Sequence, residues 1–401
     1  MERAMNTARK MRGWQGPAIL SYGFRPFFLL AGVWAALAMA IWIAMLSNWA
    51  TLPTRLDPFT WHAHEFVFGY TSAVIAGFLL TAVPNWTGRL PVVGWPLAGL
   101  VSLWLLGRVA VAFSVFLSPV LVAALDLALG LAMIFSLARE ILAGKNWRNL
   151  PVLGLLGLLV TANGLFHWFA AKGLAVGDNV GLRLGIAVEI MLMALIGGRI
   201  VPSFTRNWLV QHKSTRLPAP MGRVDHVTLV ATAVALVFFV AVPETLVTGL
   251  LCIAAGCANI LRLSRWQGWQ TVTEPLLWVL HLGYACLALG FLTVACGALQ
   301  LMPMAGALHL WLVGAVGLMT LAVMTRATRG HTGRPLTAPL STTLVYFLVL
   351  AAAAARLVAA LWPNIAIPVL RTAACSWIIA FSLFAVIYGP FLLRTSPSRH
   401  P

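Results

Sequence analysis

The sequence predicts an all-α integral membrane protein, a bundle of about twelve transmembrane helices. Of its 401 residues 61% are hydrophobic and only 9% are charged, whereas a soluble domain carries about a quarter charged residues. The apolar residues form long runs, each able to cross about 30 Å of hydrocarbon at about 1.5 Å per residue. These runs are too many and too long for one buried core, so the lipid bilayer must cover most of the surface.

Twelve apolar runs can be separated by their flanking prolines, glycines and charges. The predicted helices cover residues 27–47, 61–83, 95–116, 118–138, 151–170, 182–201, 225–242, 245–262, 274–297, 304–325, 340–361 and 367–392. The longest loop, 206–224, is too short to fold alone. We therefore predict one polytopic transmembrane domain, 1–401, with short cytoplasmic tails at 1–26 and 393–401.

The basic residues predict the orientation of the helices. With the N-terminus inside, 21 of the 27 lysines and arginines lie in inside segments, and three, Arg55, Lys172 and Arg183, lie in outside loops. Basic residues collect on the cytoplasmic side of membrane proteins, so both termini are expected in the cytoplasm. The same flanking residues account for the net charge of +17, and we expect no nucleic-acid partner.

The histidines are the strongest candidates for metal ligands. Of nine histidines, five lie in or at the edge of predicted helices: His62, His64, His167, His281 and His309. The orientation above places all of these except His281 near the outer interface, and His281 nearer the middle of the bilayer. A single buried histidine is usually hydrogen-bonded to a neighbouring helix. Four at one depth favour a shared site, because imidazole is a common ligand of haem iron and copper.

The segment Trp61-His62-Ala63-His64-Glu65 opens the second predicted helix. Residues two apart in a regular helix point about 200° from each other, so His62 and His64 do not easily bind one ion. Either the helix begins after His64, or the two histidines serve different partners. Glu65 could orient an imidazole as a supporting carboxylate, or it could relay protons.

Three further ionisable residues lie within predicted helices. Glu189 is in the middle of the sixth, where a glutamate is a functional candidate by default, for proton transfer or metal support. It could equally be a neutral acid hydrogen-bonded within the bundle. Arg108 and Arg199 could pair with acidic groups or cofactor propionates, or extend to an interface. The glycines before Arg199 permit a close backbone approach.

The ends of helices two, six and ten are similar in sequence. They end in Val83-Pro84-Asn85-Trp86-Thr87, Val201-Pro202-Ser203-Phe204-Thr205 and Met324-Thr325-Arg326-Ala327-Thr328. A four-helix unit repeated three times would explain the spacing. Proline and threonine are also common at helix ends, so both explanations stay open.

Several longer stretches resemble the NnrS family of bacterial membrane proteins. They are Gly23-Phe24-Arg25-Pro26-Phe27-Phe28, the Trp61–Glu65 motif, Gly77–Gly88, Gly198–Asn207, His309 and Met324–Arg334. The resemblance implies a multi-pass protein of the bacterial inner (cytoplasmic) membrane. It also implies haem b and copper as cofactors, nitric oxide as a ligand, and a role in denitrification or protection from nitrosative stress. It does not divide the histidines between iron and copper.

We therefore expect a haem/copper membrane protein of nitric oxide metabolism or nitrosative-stress protection. The expected cofactor-binding residues are the five membrane histidines and Arg199, with Glu65 and Glu189 as acid–base groups. Two alternatives are open: a polytopic transporter without a redox cofactor, and a membrane sensor or assembly partner without turnover. The residues decide neither enzymatic turnover nor the oligomeric state.

Overall fold

The structure, a computed structural model, describes residues 14–88 and 91–395, and within them it contains helices and turns but no strand. Twelve helices in these residues are long and apolar enough to cross a membrane, which confirms the predicted class and number. They are α1 (Phe24–Leu46), α2 (Pro58–Thr87), α3 (Trp95–Ala112), α4 (Pro119–Ala143), α5 (Trp147–Ala171), α6 (Val180–Gln211), α7 (Arg223–Ala241), α8 (Leu246–Ser264), α9 (Pro275–Ala298), α10 (Met304–His331), α11 (Leu340–Leu361) and α12 (Pro363–Leu393).

Two helices continue beyond the prolines that the sequence suggests as stops. α2 passes Pro84 and ends at Thr87, where Gly88 adopts a left-handed conformation with φ of 68°. α6 likewise passes Pro202 and ends at Gln211. Membrane helices tolerate proline because neighbouring side chains satisfy the freed carbonyl, so Gly88 is the effective stop of α2.

Local capping fixes where the helices that carry the site begin. α2 starts at Pro58, and the Asp57 carboxylate accepts hydrogen bonds from the backbone N–H groups of Phe59 and Thr60. α4 starts at Pro119, where Ser118 plays the same capping role. An acidic or hydroxyl cap followed by proline satisfies the first free N–H groups.

The chain divides into two compact units. Unit one comprises the chain up to Gly185, Ala327–Arg334 and the chain from Phe381 onward. In it, α2 packs against α1 and α4, and α4 also packs against α3 and α5. Gly77 permits the approach of α1 to α2, since a Cβ there would lie 2.7 Å from the Phe28 ring.

Arg25 joins the first helix of unit one to the last. Its Nη1 donates to the carbonyl oxygens of Phe391, Leu392 and Arg394 at 3.2, 3.0 and 2.7 Å. These are carbonyls at the end of α12 that lack helical partners, and a cation also opposes the negative end of the helix dipole. Arg25 is therefore a structural cap as well as a flanking charge.

Unit two comprises Ile186–Arg326 and Pro335–Ala380. In it, α8 packs between α7 and α9, and α10 packs between α9 and α11. Arg262 of α8 is fully buried, and its Nε donates to the Asp225 carboxylate at 2.9 Å. Its Nη1 donates to the Ala194 carbonyl and to the Tyr284 hydroxyl, at 2.8 and 2.9 Å. This basic residue links four helices of unit two.

α2 and α10 each contain a π-helical segment directly after a histidine. In α2 it covers Glu65–Tyr70 after His64, and in α10 it covers Leu310–Gly317 after His309. Such segments are rare and frequently mark functional sites. The π-helical segments are therefore a second feature that α2 and α10 share, besides the similar sequences at their ends.

Candidate metal centre

The site is built around His64, which lies in unit one with no solvent exposure. Its Nδ1 is 3.1 Å from Glu65 Oε1, and its Nε2 is 3.0 Å from Asp126 Oδ2. Because each ring nitrogen faces a carboxylate oxygen, the imidazole is fixed in orientation. A neutral imidazole can donate in one of these contacts, and a doubly protonated imidazole can donate in both.

Asp126 of α4 is the point where the other side chains converge. Its Oδ2 accepts a hydrogen bond from Asn163 Nδ2 at 2.7 Å and lies 2.9 Å from His167 Nε2. Its other oxygen, Oδ1, accepts from Arg108 Nη2. Asp126 thus joins side chains from α2, α3 and α5 around one buried carboxylate.

The geometry of this cluster suits a metal ion. One ligand atom each from His64, Asp126 and His167 lies within 4.8 Å of the others, the only such group of three among residues 14–88 and 91–395. Two imidazoles and a carboxylate are a donor set used for iron, copper and zinc. The Nδ1–H of His64 would then donate to Glu65, an arrangement that fixes ligating histidines in many metal sites.

The second carboxylate of the cluster is held by a cation and an indole. Glu65 Oε2 accepts from Arg108 Nη1 at 2.6 Å and from Trp34 Nε1 at 2.9 Å. With neutral imidazoles, Glu65, Asp126 and Arg108 together carry one net negative charge. A bound cation, or a proton on one imidazole, would offset this charge, because an unbalanced charge in a membrane span is costly.

Two glycines let the backbones approach the cluster closely. A Cβ on Gly69 would lie 2.4 Å from Arg108 Nη1 and 2.6 Å from Glu65 Oε2. A Cβ on Gly107 would lie 3.1 Å from Asp126 Oδ1. Gly69 is therefore required at its position for the Glu65–Arg108 ion pair to form as observed.

The structure brings together three of the residues expected from the sequence: His64, His167 and Glu65. His62 points elsewhere, because its ring stacks on Trp42 with centroids 4.0 Å apart. The two histidines both lie on regular helix, and their different partners agree with the spacing argument.

The other expected residues lie in unit two. His281 is buried, with Nε2 2.8 Å from Thr205 Oγ1, and Gly268 packs against its other face. His309 Nε2 lies 2.9 Å from Arg356 Nη2. Glu189 is buried in α6, and Arg199 is half-buried in the same helix.

Asp126 and Asn163 are the members of the cluster that the sequence reasoning missed. Asp126 stands alone among the acidic residues within its apolar run, and an intramembrane aspartate is itself a signal of function. The expectation that Arg108 pairs with acidic groups is confirmed by its contacts with Glu65 and Asp126.

Comparison with known proteins gives one finding. A family model described as NnrS protein matches residues 18–396, nearly the whole chain and all twelve helices. No curated protein matches the chain.

Proposed function

The chain belongs to the NnrS family, and we propose that it is a metal-binding membrane protein that protects the cell against nitric oxide. The observation that carries the proposal is the convergence of His64, Asp126 and His167 in unit one. Nitrogen and carboxylate donors of this kind suit copper, which the family resemblance also implies.

The residues around the cluster have distinct roles in this proposal. His64 and His167 would bind the ion through Nε2, and Asp126 would bind it through its carboxylate. Glu65 would hold the proton of His64 Nδ1, and Arg108 would keep both carboxylates in place. When bound, the ion would supply an electron-accepting centre with open positions for a small ligand. Burial of His64, Asp126, Glu65 and Arg108 limits the access of bulk water, while the His167 side chain is 11% exposed.

Haem does not fit at this cluster. The cavity that adjoins Asp126 and Arg108 has a volume of about 40 Å³, whereas pockets for organic ligands measure about 300 Å³ or more. The proposal of haem b rests on the family, with His281 and His309 as candidate axial ligands and Arg199 as a candidate partner of a propionate. An optical spectrum of the purified protein tests it, because bound haem gives a Soret band.

Nitric oxide consumption tests the proposed function directly. Proteoliposomes that contain the copper-loaded wild-type protein and an electron donor should remove nitric oxide, and cells that express it should tolerate the gas. Asp126→Asn should lose both effects. His212→Ala serves as the control, because His212 is exposed at the end of α6. Equal protection by wild type and Asp126→Asn would refute the proposal.

A proton-coupled transporter is the second candidate. It is favoured by the same histidine, since a doubly protonated His64 would pair with Glu65 and Asp126 to give an ion-paired relay without metal. The two candidates differ in metal content. A transporter would bind no stoichiometric metal, and its His64→Gln variant would lose proton flux.

A further inference from the structure

A narrow cavity leads away from the candidate metal centre within unit one. Its volume is about 40 Å³, and its walls come from α2, α3, α4 and α5. On α4 the wall runs from Asp126 to Met133, and on α5 it runs from Asn163 back to Leu156. Each stretch spans seven residues, or about 10 Å of helix. The cavity is therefore elongated along the helices.

The two ends of the cavity differ in chemistry. Asp126, Asn163 and Arg108 line one end, where Asp126 is the member of the His64–Asp126–His167 group that reaches the cavity. At the other end the walls are apolar, formed by residues such as Met133, Leu156 and Ala76. A buried water needs two to four polar partners. The apolar end does not provide them: the Ser72 hydroxyl in the wall donates its proton to the Gly69 carbonyl at 2.9 Å, so it is left only as an acceptor and is a single partner for a water.

The depth of the cavity in the bilayer can be estimated from the positions of its residues along α4. Asp126 lies seven residues after the first residue of α4, about 10 Å along the helix, and Met133 lies about 21 Å along it. In a hydrocarbon layer about 30 Å thick, these depths lie on either side of the middle at about 15 Å, so the cavity spans the middle of the bilayer. Neutral gases concentrate in that region, whereas ions and polar solutes are excluded from it.

We propose that this cavity is a binding and entry site through which a small, neutral, diatomic gas passes from the bilayer interior to the metal cluster. The inference rests on the proposed function and adds the route by which its gaseous ligand reaches the cluster. Its size excludes organic substrates, and its apolar walls exclude ions. Xenon has a similar size and polarity to such a gas and is known to occupy dry apolar cavities of proteins.

Xenon binding tests the site without any metal. Crystals of the full-length wild-type protein under xenon pressure should show one xenon atom between Asp126 and Met133. Leu156→Phe and Ala76→Leu, which fill the cavity from two different helices, should each abolish it. Leu158→Phe is the matched control, because Leu158 is 47% exposed on the same helix. An ordered row of waters in place of xenon would overturn the proposal.

Gas association with the copper-loaded protein gives the second readout. After flash photolysis, nitric oxide should rebind several-fold more slowly in Leu156→Phe and faster in Leu156→Ala, with copper content unchanged in both. Equal rates in Leu156→Phe and Leu158→Phe would refute the route. Xenon density in a protein that binds no copper would refute the proposed function. It would still support the cavity as a site that binds a small apolar ligand.

Discussion

At the scale of single residues, the molecule concentrates its intramembrane charge around Asp126. The carboxylate contacts His64, His167, Asn163 and Arg108 through its two oxygens. The contacts with His64, Asn163 and Arg108 are buried and the one with His167 is partly buried, so the loss of a buried partner leaves a polar group without compensation. Substitutions here should therefore affect both stability and ligand binding, and only measurements that separate the two are informative.

Arg108 is predicted to be essential for assembly of the cluster. Arg108→Met removes the cation from two buried carboxylates, and breaking a buried ion pair in this way costs about 3–5 kcal/mol. We expect a lower thermal midpoint and lost copper. Arg139→Met is the control, because the Arg139–Glu140 pair is exposed on the arginine side. Equal midpoints for the two variants would show that the charge pairing is dispensable.

Glu189 is predicted to have a functional role that does not depend on stability. Glu189→Gln keeps the shape of the buried side chain and removes its ability to ionise. We expect a folded protein with impaired resistance to nitric oxide, measured by growth under a nitric oxide donor. Resistance at the wild-type level would assign Glu189 to packing alone.

The three remaining membrane histidines are predicted to include the haem ligands. Replacement of an axial imidazole by alanine should shift the Soret band or release haem. We expect this in His281→Ala or His309→Ala, while copper is retained. Unchanged spectra in both, and in His62→Ala, would exclude all three as axial ligands.

At the scale of elements, α2 has the features most specific to the site. Its cap at Asp57, its histidine pair and its π-helical segment follow one another within fourteen residues, 57–70. The helix could be predicted from the sequence, and so could the importance of His64 and Glu65, which join the cluster. The π-helical segment could not, because it depends on packing of α2 against its neighbours and not on local periodicity.

Gly69→Ala tests the role of that segment. The added methyl would lie 2.4 Å from Arg108 Nη1, so the Glu65–Arg108 pair must open. We expect reduced copper affinity and a lower thermal midpoint. Gly99→Ala on α3 is the matched control, because a Cβ there meets no atom within 4 Å. Equivalent behaviour of the two variants would contradict the close-approach argument.

At the scale of the whole molecule, composition was enough to predict the class. Twelve apolar runs correspond to twelve helices, since a membrane demands length and hydrophobicity from every span. The pairing of Asp126 with His64 and His167 was beyond prediction, because helix neighbours are set by three-dimensional packing. Several residues of the predicted tails, including His400, lie outside the described residues.

The orientation of the molecule follows from its charges and is a prediction. Reporter fusions after residues 55 and 178 should report the outside of the inner membrane, and a fusion after 214 should report the cytoplasm, because basic residues favour the cytoplasmic side. A cytoplasmic signal at 178 would reverse the map and place the His64 cluster at the inner face.

The proposed function depends on the binding of one metal ion by His64, Asp126 and His167. Metal quantification with X-ray absorption on the purified full-length protein tests it most directly. We predict about one copper ion per chain with nitrogen and oxygen neighbours, lost in His64→Ala, His167→Ala and Asp126→Asn but retained in His212→Ala. Full copper content in all three cluster variants would contradict the claim.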